Sequence, residues 1–211
     1  MYDDAGIVVI DRPTDKCAAP CAVAIGASAG GVHALRTIIT ALPADLPAAV
    51  FIVLHLDPHG RSLLPMLLAA STRLRVRDVR DEGIVESGTV YVAVPDRHLL
   101  VCDGRVQLAV SAPVHYVRPS VDRLFESIAM SWLAAAIGVI LTGNGLDGAS
   151  GIAAIKQGGG YTIVQDPSDA EYSGMPKAAI ATGAVDTVLP LAAIAPAIAR
   201  AAAIAAAGRA A

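Results

Sequence analysis

A serine flanked by glycines lies in residues 26–31, directly after a run of apolar residues and before a stretch with helical periodicity. The segment satisfies the pattern G-x-S-x-G, in which a sharp strand-to-helix turn exposes a serine hydroxyl above a sheet. This pattern predicts Ser28 as a nucleophile, and the amides that begin the next helix favour developing negative charge. The alternative is a phosphate-binding turn, because glycine-rich strand-to-helix turns also cradle phosphate groups.

Two more polar residues follow apolar runs of strand length. His55 comes directly after residues 50–54, and Asp147 closes a glycine-rich loop at residues 142–148. The carboxyl ends of parallel strands share one edge of a sheet, so we expect Ser28, His55 and Asp147 to meet there. A serine hydroxyl needs an adjacent base, and a carboxylate on the far imidazole nitrogen fixes the tautomer. The sequence predicts a nucleophile, a base and an orienting acid, in that order.

Each of these residues also has a simpler interpretation. Alone, His55 fits a partly buried structural imidazole, and Asp147 before Gly148 fits a turn. Their position after three separate strands favours the catalytic interpretation. The order Ser–His–Asp differs from the Ser–Asp–His order of α/β-hydrolases, which predicts a triad on a different doubly wound fold.

An oxyanion formed at Ser28 would need main-chain donors. The turn after the serine, at Ala29, and the glycine-rich loop, at Gly143, Asn144 and Gly145, are the expected sources. Met175 is a candidate for the pocket wall, and an apolar contact at the start of a helix is its alternative role.

Strands alternate with helices along the chain. This alternation predicts an α/β fold with a doubly wound, mostly parallel sheet flanked by helices. A hairpin over residues 99–110, turning at Asp103 and Gly104, is expected near one edge of the sheet. We predict a lead-in segment at residues 1–20, with a short strand at 6–10, and one catalytic domain at residues 21–211. Strands are predicted at 21–25, 48–54, 75–79, 90–94, 137–141, 161–164 and 185–188, and helices at 31–42, 62–70, 120–132, 148–157 and 176–182 and in the Ala-rich C-terminal region.

Composition narrows the class of protein. The chain has 211 residues, 55% of them hydrophobic and 17% charged, which is typical of a globular domain rather than a disordered one. A net charge of -3 gives no global basic field, so we expect no nucleic-acid partner. The apolar runs at 48–56 and 132–142 are shorter than the roughly 20 residues of a membrane-spanning helix. The odd number of cysteines, three, favours reduced thiols and a cytoplasmic location.

Taken together, the motifs resemble those of the chemotaxis protein-glutamate methylesterases, the CheB catalytic domain, from about residue 23 to residue 189. The segments that carry the resemblance are 24–31 (AIGASAGG), Leu54-His55, 118–122 (RPSVD), 138–143 (GVILTG) with Asp147-Gly148, and 174–176 (GMP). The resemblance implies hydrolysis of γ-glutamyl methyl esters on methyl-accepting chemoreceptors and deamidation of receptor glutamines. It implies the same triad, Ser28, His55 and Asp147, no metal or organic cofactor, and only a peripheral association with membrane receptors.

Three departures from the family pattern affect the expectations. Asn144 replaces a methionine whose backbone N–H is thought to help hold the oxyanion, and Ala29 replaces a residue that often carries a hydroxyl. Many relatives also have an N-terminal receiver domain, which residues 1–20 are too short to form. We therefore expect no phosphorylation control in cis, and either constitutive activity, a separate regulatory or receiver protein, or a fragment of a longer chain; Met1 argues against a fragment.

Four arginines are candidates for substrate docking. Arg73, Arg75 and Arg77 alternate with apolar residues, so a strand would place all three on one face. That face suits acidic receptor helices, although a solvated strand face is the favoured explanation. Arg118 is a candidate for substrate contact or for a structural salt bridge. Two other functions stay open, a nucleotide-binding module with Asp57 as the ribose ligand and a catalytically silent interaction domain.

Overall fold

A computed structural model describes residues 19–55 and 62–210, in which two sheets and six helices are organised around the main sheet. The strands are β1 (Ala22–Ala27), β2 (Ala49–Leu54), β3 (Arg75–Asp78), β4 (Gly83–Ile84), β5 (Thr89–Val92), β6 (His98–Cys102), β7 (Arg105–Ala109), β8 (Ala136–Ile140), β9 (Tyr161–Gln165) and β10 (Thr187–Leu189). The helices are α1 (Gly31–Ala41), α2 (Leu64–Ala69), α3 (Val121–Trp132), α4 (Ala149–Gln157), α5 (Gly174–Ala181) and α6 (Leu191–Ala210).

Seven strands form the main sheet in the order β10-β9-β8-β1-β2-β5-β3, and every neighbouring pair is parallel. Every residue of β1, β2 and β8 is buried, because helices cover both faces of a parallel sheet. β1 lies at the centre, and the chain leaves β1 and β8 towards helices on opposite faces. A crevice opens at such a point in a doubly wound sheet.

Side chains along β1 alternate between two hydrophobic cores. Val23 and Ile25 pack with α1, α2 and α6 on one face, whereas Ala22 and Ala24 pack with α3, α4 and α5 on the other. This follows from the two-residue period of a strand. The predicted α/β class and the mostly parallel sheet flanked by helices are confirmed.

The hairpin forms where predicted, but it lies in a small sheet of its own. β6 pairs with β7 antiparallel across Asp103 and Gly104, and the two-residue strand β4 pairs with β7 on its other side. This sheet packs against α3 rather than extending the edge of the main sheet, because buried Leu99 and Val101 share a core with that helix. β4 was not predicted, since two residues carry no periodicity.

The C-terminal helix α6 is apolar along most of its length. Within the described residues, Leu191–Gly208 is the one segment long and apolar enough to cross a membrane by length and composition alone. Its Ile194, Ile198 and Ala202 are fully buried in the core beside β1, which is how a core helix of an α/β domain packs. Most of the predicted lead-in segment, including its strand at 6–10, lies outside the described residues.

Candidate active site

Ser28 comes directly after β1, and His55 comes directly after the neighbouring strand β2. Ala27 of β1 is paired in register with Leu54 of β2, so the next residue on each strand is Ser28 and His55. The backbone N–H of His55 donates to the carbonyl of Ala27 at 3.2 Å, which continues the ladder one residue past the strands. Strand register alone therefore brings the two side chains to the same edge of the sheet.

The third segment joins from β8. The backbone N–H of Ser28 donates to the carbonyl of Thr142 at 3.0 Å, and the Thr142 hydroxyl donates to the carbonyl of Ala29 at 3.0 Å. These bonds tie the serine turn to the glycine-rich loop. Gly30 closes the turn with φ +73°, a left-handed conformation that favours glycine, and the N–H of Gly31 donates to the carbonyl of Ser28 at 2.8 Å.

One cavity of about 430 Å³ opens above these strand ends. Its lining residues come from the serine turn, the first turns of α1, the end of β2 and the loop before α5; they are Ser28, Gly30, Gly31, Val32, His33, Arg36, Leu54, His55 and Glu171. The Ser28 hydroxyl makes no hydrogen bond to any residue in 19–55 or 62–210. The nucleophile candidate Ser28 and the base candidate His55 thus line the same cavity, and no hydrogen bond joins their side chains.

A hydrogen bond joins the side chains of His55 and Asp147. The Nε2 atom of His55 lies 2.8 Å from Oδ2 of Asp147, and the exposed fractions of the two side chains are 12% and 3%. Sequence reasoning placed these residues at one edge of the sheet, and the structure brings them into direct contact although 92 positions separate them.

Asp147 accepts three further hydrogen bonds, all from the start of α3. The hydroxyl of Ser120 donates to Oδ1 at 2.8 Å, the N–H of Asp122 donates to Oδ1 at 3.0 Å, and the N–H of Val121 donates to Oδ2 at 2.6 Å. Burial by itself would raise the pKa of Asp147, but the bonds from His55, Val121, Asp122 and Ser120 outweigh it and lower that pKa. The carboxylate is therefore held ionised.

An ionised carboxylate only accepts hydrogen bonds, which fixes the tautomer of the histidine. Nε2 of His55 must carry the proton that it donates to Asp147. The lone pair of the neutral ring is then on Nδ1, and this atom is the one available as a base.

The main-chain donors in this region are partly occupied. The N–H of Gly143 donates to the carbonyl of Tyr172 at 2.9 Å, so the first residue of the predicted oxyanion loop is already bonded. The N–H groups of Ala29, Asn144 and Gly145 have no acceptor in the part of the chain that the structure describes. These three groups remain available to an anionic ligand.

Met175 lies beneath the loop. Its side chain is 1% exposed, and its sulfur would be 2.3 Å from a Cβ added at Gly143, so the thioether packs directly against the loop backbone. Its N–H donates to the carbonyl of Gly143 at 2.8 Å. Met175 thus supports the loop from the core, at the start of α5, and is not among the residues that line the cavity.

The predicted docking arginines lie away from the cavity, and three of the four are paired. Arg75 and Arg77 both contact Glu86, at 2.8 and 3.1 Å, and Arg118 forms an ion pair with Asp96. Arg73 is exposed just before β3. Their role in docking stays a prediction. Asp57, the alternative ribose ligand, lies outside the described residues.

Several site residues escaped the sequence reasoning. Arg36 and Glu171 place a cation and a carboxylate on the cavity wall, and Ser120 donates to Asp147. His98 is buried, and its Nδ1 accepts the N–H of Ser120 at 3.2 Å; burial lowers the pKa of His98 and keeps it neutral. The spacing of Glu171 from Met175 and Pro176 carried no signal. No three His, Cys, Asp or Glu side chains converge on a metal-binding geometry within residues 19–55 and 62–210.

Comparison with known proteins agrees with the geometry. The profile of the CheB methylesterase family matches residues 23–198. The chain belongs to the CheB methylesterase family. The crystal structure of the Thermotoga maritima CheB methylesterase catalytic domain matches with a TM-score of 0.81 at 36% identity, covering 85% of this chain and 97% of that chain. The resemblance predicted from the motifs is confirmed.

Two relatives carry the description protein-glutamate methylesterase/protein-glutamine glutaminase. That of Symbiobacterium thermophilum is 45% identical over 180 residues, which is 85% of this chain and 50% of the relative. That of Burkholderia orbicola is 45% identical over 178 residues, 84% of this chain and 52% of the relative. The chain spans about half the length of these curated relatives.

Proposed function

We propose that this CheB-family chain hydrolyses γ-glutamyl methyl esters on chemoreceptors and deamidates receptor glutamines at the same site. The observation that supports the proposal most directly is the 2.8 Å contact between His55 Nε2 and Asp147 Oδ2. His55 comes directly after β2, which pairs with β1, and Ser28 comes directly after β1. The names of the relatives support the substrate class.

In the proposed reaction, the Ser28 side chain turns towards the imidazole and its oxygen attacks the ester carbonyl carbon. The serine proton passes to Nδ1 of His55, and the carbonyl π electrons move onto oxygen. The free N–H groups of Ala29, Asn144 and Gly145 are the donors available to this oxyanion. Asp147 stabilises the imidazolium through Nε2 without taking its proton.

Collapse of the tetrahedral intermediate breaks the bond to the methoxy oxygen, which takes the proton from His55 and leaves as methanol. The glutamyl group remains as an ester on Ser28. Water then gives a proton to His55 and attacks the acyl carbon, and the proton returns to the serine oxygen as glutamate is released. With a glutamine substrate the leaving group is ammonia.

The test combines two assays on the whole chain. Wild type is expected to release methanol from methylated receptor and to be labelled at Ser28 by a fluorophosphonate, and Ser28→Ala is expected to lose both. Ser111→Ala, at an exposed serine in the loop before α3, is the matched control and should behave as wild type. Stabilisation by NAD or ATP without labelling would instead support a nucleotide-binding module.

Location and regulation follow from the same proposal. We place the chain in the cytoplasm, in peripheral contact with membrane receptors. Its regulation by a separate protein stays a prediction.

A further inference from the structure

We infer that Asp122 is a positioning residue for the triad, acting through the helix that carries Asp147 at its start; this rests on the proposed function. Its carboxylate does not face the cavity, and it contacts neither Ser28 nor His55. Its partners are the backbone groups that begin α4, the element that directly follows Asp147.

The contacts form a reciprocal clamp between two helix starts. Oδ1 of Asp122 accepts the N–H of Gly148 at 2.9 Å and the N–H of Gly151 at 2.7 Å. In the opposite direction, Asp147 accepts the N–H groups of Val121 and Asp122. Each helix therefore begins on a carboxylate supplied by the start of the other, and four main-chain bonds fix the separation of α3 and α4.

The clamp restrains the Asp147 carboxylate, whose Oδ2 orients the His55 imidazole. Gly148 is adjacent to Asp147, so the bond from its N–H to Asp122 limits movement of the Asp147 backbone. Asp147 in turn holds Nε2 of His55 at 2.8 Å. Without Asp122, two amides at the start of α4 lose their shared acceptor, and the Asp147 carboxylate is free to shift relative to the imidazole.

The charge of Asp122 is not what the clamp needs. Both amides bond to Oδ1, while Oδ2 faces Nε2 of His115 at 3.4 Å. The pKa of Asp122 is raised, chiefly by burial and also by the negative charge of Asp147. The hydrogen bonds from the Gly151 and Gly148 amides and the nearby His115 lower this pKa by less than burial and Asp147 raise it. An asparagine can present its carbonyl oxygen to the two amides and its NH₂ group to His115, so it should preserve the clamp.

The experiment compares four variants of the whole chain by the rate of fluorophosphonate labelling at Ser28 and by kcat and KM for methanol release. Asp122→Ala is expected to slow labelling and kcat by between about tenfold and about 100-fold at unchanged KM, because misplacement of about 1 Å costs this much. Asp122→Asn should recover to within about threefold of wild type.

Two controls separate positioning from loss of stability. Ile152→Val removes one buried methylene of α4 without touching the clamp and, like the loss of a cap, should lower the Tm by about 2–4 °C. It should label at the wild-type rate, as should His115→Ala, which removes only the partner of Oδ2. The inference is overturned if Asp122→Ala labels at the wild-type rate below its Tm, or if Ile152→Val slows labelling as much.

Failure of the proposed function has a different signature. If wild type is labelled at Ser28 but releases no methanol, the substrate is wrong while the labelling series still tests Asp122. If wild type is not labelled, Ser28 is not an activated nucleophile and both ideas fail.

Discussion

Asp147→Asn is the substitution that most directly tests the site, because all four partners of this side chain are donors. Oδ2 accepts from His55 Nε2 and the Val121 N–H, and Oδ1 accepts from the Ser120 hydroxyl and the Asp122 N–H. An asparagine must place its NH₂ group at one of these two positions. Whichever it occupies, it faces a backbone N–H that cannot become an acceptor.

The two orientations have different consequences for catalysis. If NH₂ replaces Oδ2, the imidazole must accept at Nε2, which moves its proton to Nδ1 and removes the base. If NH₂ replaces Oδ1, the tautomer survives but Asp147's charge does not, and the imidazolium loses its stabilising partner. The Ser120 hydroxyl can rotate to accept, whereas the Asp122 N–H cannot.

The magnitudes follow from these two losses. One orphaned buried N–H costs about 2 kcal/mol, within the usual range of about 1–3, and lowers the Tm of a domain of this size by roughly 4–8 °C. The wrong tautomer in a Ser–His–Asp triad lowers kcat by about 10⁴, equivalent to about 5.4 kcal/mol in the activation barrier. Activity should therefore fall by much more than stability does.

Fluorophosphonate labelling and methanol release at 25 °C measure the loss of activity, and thermal unfolding of the same samples measures the loss of stability. A folded Asp147→Asn protein that retains activity within tenfold of wild type would refute the assignment of this residue as the orienting acid. A loss of activity that merely tracks the unfolded fraction would refute it too.

Three other outcomes are expected. Ser28→Ala should abolish methanol release and leave the Tm within about 1 °C, since the Ser28 hydroxyl has no partner among the described residues; residual turnover would exclude it as nucleophile. The folded-state pKa of Asp147 lies below its unfolded value, so its ionisation stabilises the fold at neutral pH, and this contribution declines as pH falls below about 3.9; the Tm difference between wild type and Asp147→Asn should shrink there, and a constant difference would contradict the lowered pKa. Gly143→Ala puts a Cβ 2.3 Å from Met175 Sδ and 2.8 Å from Ser28 Cβ, and overpacking of this kind costs about 1–3 kcal/mol; the Tm and labelling should both fall, whereas Gly83→Ala, with nothing closer than 4.0 Å, should change neither.

Sequence reasoning placed the three residues of the proposed triad at one edge of the sheet because local signals put each of them at a strand end. Apolar runs such as 50–54 and 137–141 are buried on both faces, and the residue after such a run must emerge at the sheet edge. Ser28 and His55 followed from this rule and the parallel pairing of β1 with β2. Predicted element bounds agree with the structure to within about two residues wherever the periodicity is long.

Contacts that depend on how elements pack could not be predicted in this way. Ser120 reaches Asp147 across 27 positions because α3 packs beside α4, and no pattern in either segment encodes that approach. The pairing of Arg75 and Arg77 with Glu86 depends on the return of the chain between β3 and β5. The identity of the histidine nitrogen that serves as base depends on ring orientation, which sequence does not carry.

The hydrogen bonds that Asp147 accepts from the N-terminus of α3 explain how a buried carboxylate can orient a base without competing for its proton. Burial would favour the neutral acid, which would then donate to His55 or leave it unpaired. Two main-chain amides and the Ser120 hydroxyl spread the negative charge over three donors besides the imidazole. This lowers the proton affinity of the carboxylate while leaving Oδ2 within 2.8 Å of Nε2. The donors at the start of α3 therefore make Asp147 a weak base and hold it where it fixes the orientation of the imidazole. Both properties are required if Nδ1 of His55 is to take the proton from Ser28.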